Sequence, residues 1–301
     1  MVKNLSPHLR AVFQALFVTF LWSTSWIFIK IGLKDIPALP FAGLRYMLAF
    51  LCLLPLVIHS GQLKSLHTLS TRVWLRLILL GLLLYAVTQA AVYLSLFYLP
   101  AVTSSLMLSF TPIIVAILGI LILGEAPTVM QWSGTGLYLL GVLLYFYPLA
   151  LPTGQVIGLT IAAVGVLANA LSSILGRYIN RSAELEPLVV TVVSMGCGSI
   201  VLLISGLILQ GFPHLTLTHW AIILWLALVN SALAFTLWNL TMRTLSAMES
   251  SLINNTMLIQ IAILAWVFLD EQLTWQQGMG MGMAAAGILV VQVRNRNKQK
   301  T

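Results

Sequence analysis

Residues 94–143 read LSLFYLPAVTSSLMLSFTPIIVAILGILILGEAPTVMQWSGTGLYLLGVL, and residues 240–289 read LTMRTLSAMESSLINNTMLIQIAILAWVFLDEQLTWQQGMGMGMAAAGIL. The two stretches align without a gap. Glu125 against Glu271 fixes the register, with 271 − 125 = 146. The same offset pairs Leu99 with Leu245, Ala101 with Ala247, Ser104 with Ser250, Ser105 with Ser251 and Leu106 with Leu252. Thr128, Gln131, Gly134, Gly136 and Gly141 fall on Thr274, Gln277, Gly280, Gly282 and Gly287. About a third of the positions are identical, and most others are apolar on both sides. The chain reads as a half-protein duplicated and fused. In membrane proteins this pattern points to a transporter whose site lies between the halves.

The remainder of the chain supports a membrane reading. It has 301 residues, 60% hydrophobic and 7% charged, against roughly 25% charged in soluble proteins. No water-soluble fold hides that much apolar surface. The apolar runs are too long for porin-like strands. They give ten helical spans, at about 11–29, 40–59, 73–93, 96–123, 130–148, 155–176, 187–209, 219–240, 246–269 and 274–293. Each is near the roughly 20 residues that cross a hydrocarbon core. The first is too long for a signal-peptide core and is read as a retained span. Cys52 and Cys197 lie inside spans and are read as packing residues.

The net charge of +8 is placed as the positive-inside rule requires. With a cytoplasmic N-terminus, twelve of the fifteen cations fall on the cytoplasmic side; Lys30 and Lys34 fall outside and Arg45 within span two. Both termini are therefore expected in the cytoplasm. The basic C-terminal tail is read as an anchor near anionic lipid, with no nucleic-acid role. Five spans is an odd number, so the second half must be inverted relative to the first. The expected fold is all-α and integral to the membrane, with ten transmembrane helices as two inverted five-helix repeats. The repeats divide as 1–148 and 149–301.

Several motifs occur in order. Trp22-Ser23-Thr24-Ser25-Trp26 leads to Lys30. Pro40-Phe41-Ala42-Gly43-Leu44-Arg45 leads to Ala49. Ala101-Val102-Thr103-Ser104-Ser105-Leu106 precedes Thr111-Pro112, Leu123-Gly124-Glu125 and a Gly-rich span five. With the five-plus-five repeat, this resembles an EamA-type carrier of the drug/metabolite transporter superfamily. The resemblance covers nearly the whole chain. It implies ten helices and a central cavity lined by spans one, three, four, six, eight and nine, with spans five and ten peripheral. It also implies export of amino acids or other small metabolites, aromatic amino acids among them; other relatives move nucleotides, cofactors or drugs. The chain departs from symmetry at Pro112, whose counterpart is Leu258, so the proline hinge is not repeated. Leu108-Ser109 likewise becomes Asn254-Asn255.

Polar residues deep in spans are the candidate substrate contacts, because an unpartnered amide in hydrocarbon is costly. Asn254 and Asn255 are about 100° apart on a helix, so one of them is expected to face the cavity. Gln260 is read as an interhelical bond. Tyr85, Gln89 and Tyr93 share one face at i, i+4, i+8. Trp238 and Asn239 end span eight. Trp22 and Ser25 on span one match Asn169 and Ser172 on span six. Arg45, near the start of its span, is read as structural, snorkelling or pairing with Asp35. Glu125 and Glu271 are read as ion-pairing or helix-capping groups. Gly278, Gly282 and Ala286 are read as a close-packing face within the fold, with a dimer face as the alternative; the sequence leaves the oligomeric state open, a monomer being favoured.

No acidic residue lies at mid-span, which favours facilitated diffusion or exchange. Glu249, at the mouth of span nine, and Pro112 are the candidates for coupling or gating. A proton-coupled drug or metabolite antiporter, a passive channel and a receptor-like membrane protein are the alternatives. The five histidines show no His-Glu-x-x-His spacing, and neither a Gly-x-Ser-x-Gly elbow nor a phosphate-binding loop is present. No enzyme activity, metal or cofactor is expected. The expected partners are a small-molecule substrate and the bilayer of a bacterial inner membrane.

Overall fold

The computed structural model describes residues 6–60, 69–99, 104, 107–125, 127–145, 147–148, 156–269 and 274–293. Glu271, Ala101 to Thr103, Ser105, Leu106, the side chains of Lys30 and Leu258, and the C-terminal basic cluster lie outside what is described.

The described residues fold as ten helices. They are α1 (Pro7–Gly32), α2 (Ala38–His59), α3 (Thr71–Tyr98), α4 (Thr111–Leu123), α5 (Val129–Tyr145), α6 (Val156–Arg181), α7 (Pro187–Gln210), α8 (Leu217–Thr241), α9 (Ala247–Asn254, resuming as Thr256–Leu269) and α10 (Trp275–Val293). Their ends follow local chemistry. Ser6 accepts from the Leu9 amide with Pro7 opening α1. Ser246 and Glu249 form a reciprocal capping box on α9, and Gly124, at φ 63°, terminates α4 in the left-handed conformation. The outward faces are apolar: Leu121 is 74% exposed, Phe97 75% and Ile208 77%. Such a surface is stable in hydrocarbon, not in water.

The duplication is visible in the backbone. Residues Leu82–Thr88 of α3 and Leu228–Leu233 of α8 are π-helical, and 82 + 146 = 228. A π turn takes one residue more than an α turn and releases backbone carbonyls. Spans four and nine both break. Phe110 has φ −83° and ψ −9°, and Asn255 has φ −73° and ψ −5°. The Ser109–Phe110 turn and Asn255 are equivalent, since 109 + 146 = 255. A break therefore recurs at the equivalent place although the proline does not. Pro112 sits in the first turn of α4, where its missing N–H is not needed. In span four, α4 begins at Thr111 after the turn at Ser109–Phe110, while Met107 and Leu108 before the turn are helical; residues 96–98 belong to α3, which runs to Tyr98 before an extended Leu99.

The most extensive helix pair is α5 with α10. A Cβ on Gly141 would meet Gly280 O at 2.6 Å, and one on Gly287 would meet Gly134 O at 2.5 Å. Gly134 and Gly141 are the repeat counterparts of Gly280 and Gly287, so each contact is the two-fold image of the other. The expected packing face of Gly278, Gly282 and Ala286 is corrected here. A Cβ on Gly278 or Gly282 meets nothing within 4 Å, and all three residues are exposed. In hydrocarbon both faces of a helix are apolar, so spacing alone did not choose between them.

Candidate functional site

A central cavity of about 160 Å³ lies between the halves, room for at least about five water-sized groups. α1 supplies Trp22, Ser25 and Trp26; α3 supplies Thr88, Gln89 and Tyr93; α6 supplies Asn169 and Ser172. α8 supplies Phe235, Trp238 and Asn239, and α9 supplies Asn254 and Asn255. Leu108 and Ser109 enter from the end of the helical segment and the turn before α4. Among the described residues, α5, α7 and α10 contribute nothing.

Nine of the ten expected cavity residues line it. Tyr85 does not. It is fully buried, packed on Tyr46 and Phe235 at ring separations of 5.5 and 4.9 Å. The π stretch is the reason: Gln89 and Tyr93 stay on one α-helical face, while the extra residue turns Tyr85 off it. Asn254 and Asn255 both reach the cavity, because the helix breaks between them and the next turn.

Hydrogen bonding divides the amides into two groups. Asn255 Nδ2 donates to Ser109 O at 3.4 Å. Asn239 donates to Thr191 Oγ1 and accepts from Asn180, at 2.8 and 2.9 Å. Gln260 joins Ser23, Thr19 and Thr256 across α1 and α9, away from the cavity. By contrast, the side chains of Gln89, Asn169 and Asn254 have no hydrogen-bond partner among the described residues, and all three face the cavity. An amide held at such a wall satisfies itself with water or a solute. Ser25 and Ser172 donate inward to their own helices, to Trp22 O and Asn169 O, leaving their lone pairs to the cavity.

The aromatic wall is centred on Trp22, whose ring lies 4.8 Å from Phe235 and 5.1 Å from Trp238. Trp22 Nε1 donates to Asn230 O at 3.0 Å, a carbonyl within the π stretch of α8. Asn230 in turn donates to Leu21 O and to Thr24 Oγ1.

Two features lay beyond the sequence reading. Arg45 neither snorkels nor pairs with Asp35. It sits two turns inside α2, roughly 10 Å from the helix start, and is only 2% exposed. It lines the cavity, and Asp35 instead meets His219 at 3.4 Å. Asn230, in mid-span, is the second; its position alone was a signal of a polar junction there.

At one end of the cavity, beside Gly176 and Met242, an ion pair and two backbone contacts join the helices. Arg177 Nε meets Glu125 Oε1 at 3.3 Å, and Arg177 Nη1 donates to Met242 O at 2.6 Å. Glu125 Oε2 accepts from the Ala247 amide at 3.1 Å. Glu125 thus caps α9, while Arg177 satisfies a carbonyl at the end of α8. Glu249 lies off the cavity, between His8 Nε2 at 3.3 Å and the Ser246 amide at 2.9 Å. Among the described residues no His, Cys, Asp or Glu cluster could hold a metal.

The model of the EamA-like transporter family matches the chain twice, over residues 9–147 and 156–293. A protein named uncharacterized transporter YvbV, from Bacillus subtilis strain 168, is 28% identical over 220 residues, 70% of this chain and 68% of its own. A probable amino-acid metabolite efflux pump of Salmonella typhimurium strain LT2 is 28% identical over 239 residues, 75% of this chain and 76% of its own. One solved crystal structure shares the fold with a TM-score of 0.80, at 15% identity, over 96% of this chain and 99% of the other.

Proposed function

From the premise that the chain belongs to the EamA-like transporter family, and is therefore a multi-pass membrane transporter, we propose that it exports small metabolites, amino acids with aromatic or other neutral side chains foremost, by alternating access. The observation that carries this reading is the cavity wall. Three amides with no hydrogen-bond partner among the described residues line it together with an aromatic cluster, around a space fit for a small solute. The amides hold the polar ends of the solute. Trp22, Phe235 and Trp238 hold its body. The efflux-pump relative supports the amino-acid class.

The membrane is a bacterial inner membrane with both termini cytoplasmic, in keeping with the placement of Lys and Arg. Glu125 and Arg177 then close the cytoplasmic end. The equivalent breaks in α4 and α9 let the halves exchange conformations, which turns the access of the cavity around. Among the described residues no carboxylate lines the cavity. This favours facilitated diffusion or exchange over proton antiport.

Counterflow in proteoliposomes tests the proposal. Vesicles loaded with unlabelled amino acids should accumulate labelled phenylalanine, tryptophan or leucine without a pH gradient. Flux that requires the gradient would overturn the uncoupled mechanism. Conductive, unsaturable flux would make the protein a channel.

A further inference from the structure

Arg45 is a charged group whose surroundings do not balance it. Nε donates to Ser231 Oγ at 2.8 Å, Nη2 to Asn230 O at 3.2 Å and Nη1 to Tyr93 Oη at 3.4 Å. The guanidinium carbon lies 5.0 Å from the Tyr46 ring centre. Every one of these partners is neutral, and no carboxylate among the described residues pairs with Arg45. A guanidinium carries five N–H donors and keeps its charge. Three donors are matched here, leaving one on each Nη. A cation 2% exposed without a counter-ion is strongly disfavoured unless an anion reaches it.

Position within the repeat supports a special role. The offset of 146 places Thr191 opposite Arg45 and Asn239 opposite Tyr93. The second half closes this position with a neutral bond, Asn239 Nδ2 to Thr191 Oγ1 at 2.8 Å. The packing geometry alone therefore does not require a charge. The first half has one, and it faces the cavity.

We propose that Arg45, with Tyr93 beside it, is the anion subsite of the cavity and receives the carboxylate of the transported solute through its two remaining N–H groups. This rests on the transport reading above and narrows it: the substrate carries a carboxylate, and organic cations are excluded. The planar fork suits a carboxylate held by two parallel hydrogen bonds. The π stretch of α8 supplies the Asn230 carbonyl that aims the fork. The unmatched amides of Gln89, Asn169 and Asn254 are left for the other polar group of the solute.

The test uses four probes sharing a phenyl body: phenylalanine, 3-phenylpropionate, phenethylamine and phenyl phosphate. Binding to the purified full chain is read by tryptophan fluorescence and by the shift in melting temperature, separately from counterflow. The wild type should bind both carboxylates and discriminate against phenethylamine by on the order of a hundredfold, the effect of one unit charge near contact in a partly screened site. Arg45→Lys should retain weakened carboxylate binding, and Arg45→Gln should lose it. Phenyl phosphate binding below 3-phenylpropionate supports a carboxylate subsite; tighter phosphate binding overturns that assignment. Equal binding of phenethylamine and 3-phenylpropionate by the wild type overturns the proposal without any variant. So does a folded Arg45→Gln that binds 3-phenylpropionate as the wild type does, or a wild type that binds neither carboxylate. Arg45-dependent binding without counterflow would uphold the subsite and remove the transport reading instead.

Discussion

Replacing Glu125 by Gln should open the cavity from the end that Glu125 closes. The carboxylate has two partners, Arg177 at 3.3 Å and the Ala247 amide at 3.1 Å, and the ion pair is largely shielded, with side-chain exposures of 11% and 15%. Glutamine keeps the shape and one acceptor oxygen but removes the charge. Charged hydrogen bonds contribute about 1.5–3 kcal/mol and neutral ones about 0.5–1.5, so the loss is about 2 kcal/mol. These contacts join α4, α6, α8 and α9, which must separate for access from that side. If they exist in one access state only, about 2 kcal/mol shifts the equilibrium roughly 30-fold. The assay starts from a chain with Cys52 and Cys197 changed to Ser. A single cysteine at Ser173, which lines the cavity near this end, reports access to a membrane-impermeant maleimide. Labelling from the Glu125 side should quicken roughly 10- to 30-fold in Glu125→Gln. Unchanged labelling in folded protein, or a lower melting temperature without faster labelling, would refute the latch.

Other substitutions separate binding from scaffolding. Asn254→Ala, Asn169→Ala and Gln89→Ala should each raise the counterflow KM roughly tenfold, the effect of one hydrogen bond of about 1–1.5 kcal/mol, with melting temperatures unchanged. Asn239→Ala should instead lower the melting temperature, because it strands Thr191 and Asn180. Gln260→Ala should leave KM unmoved and cost about 0.6 kcal/mol per interhelical bond in a detergent unfolding titration. Gly141→Ala and Gly280→Ala, whose new Cβ would press on backbone at 2.5–2.6 Å, should destabilise by about 1–3 kcal/mol or more. Gly278→Ala and Gly282→Ala, with open space around them, should leave the melting temperature where it is.

The fold was legible because duplication and hydropathy act over long stretches. The gapless pairing of Glu125 with Glu271 and the length of each apolar run do not depend on the detail of any one turn. The amides of Asn169 and Asn254 were legible as wall positions too, since hydrocarbon tolerates them only against protein, water or solute. Tyr85 was misread because a π turn leaves no mark in residue type, and helical spacing was carried through it. Arg45 was misread because distance along the helix was taken for depth, whereas its direction is set by Ser231 and Asn230, far off in sequence. Gly280 and Gly287 were passed over for Gly278 and Gly282 because lipid and protein interior are equally apolar, so no pattern of polarity marks the buried face.

The bond between Asn255 and the Ser109 carbonyl joins a residue to its own duplicate, 146 positions away. Such a contact stands on the two-fold axis, where it has the same relation to both mouths of the protein. A latch such as Glu125 biases one access state, but a change at the axis burdens both alike. Substitution of Asn255 should therefore alter the speed of the cycle while leaving its resting ratio in place. In the ancestral half-protein, where two identical copies would have met, a single mutation at this point would have been felt twice in one contact.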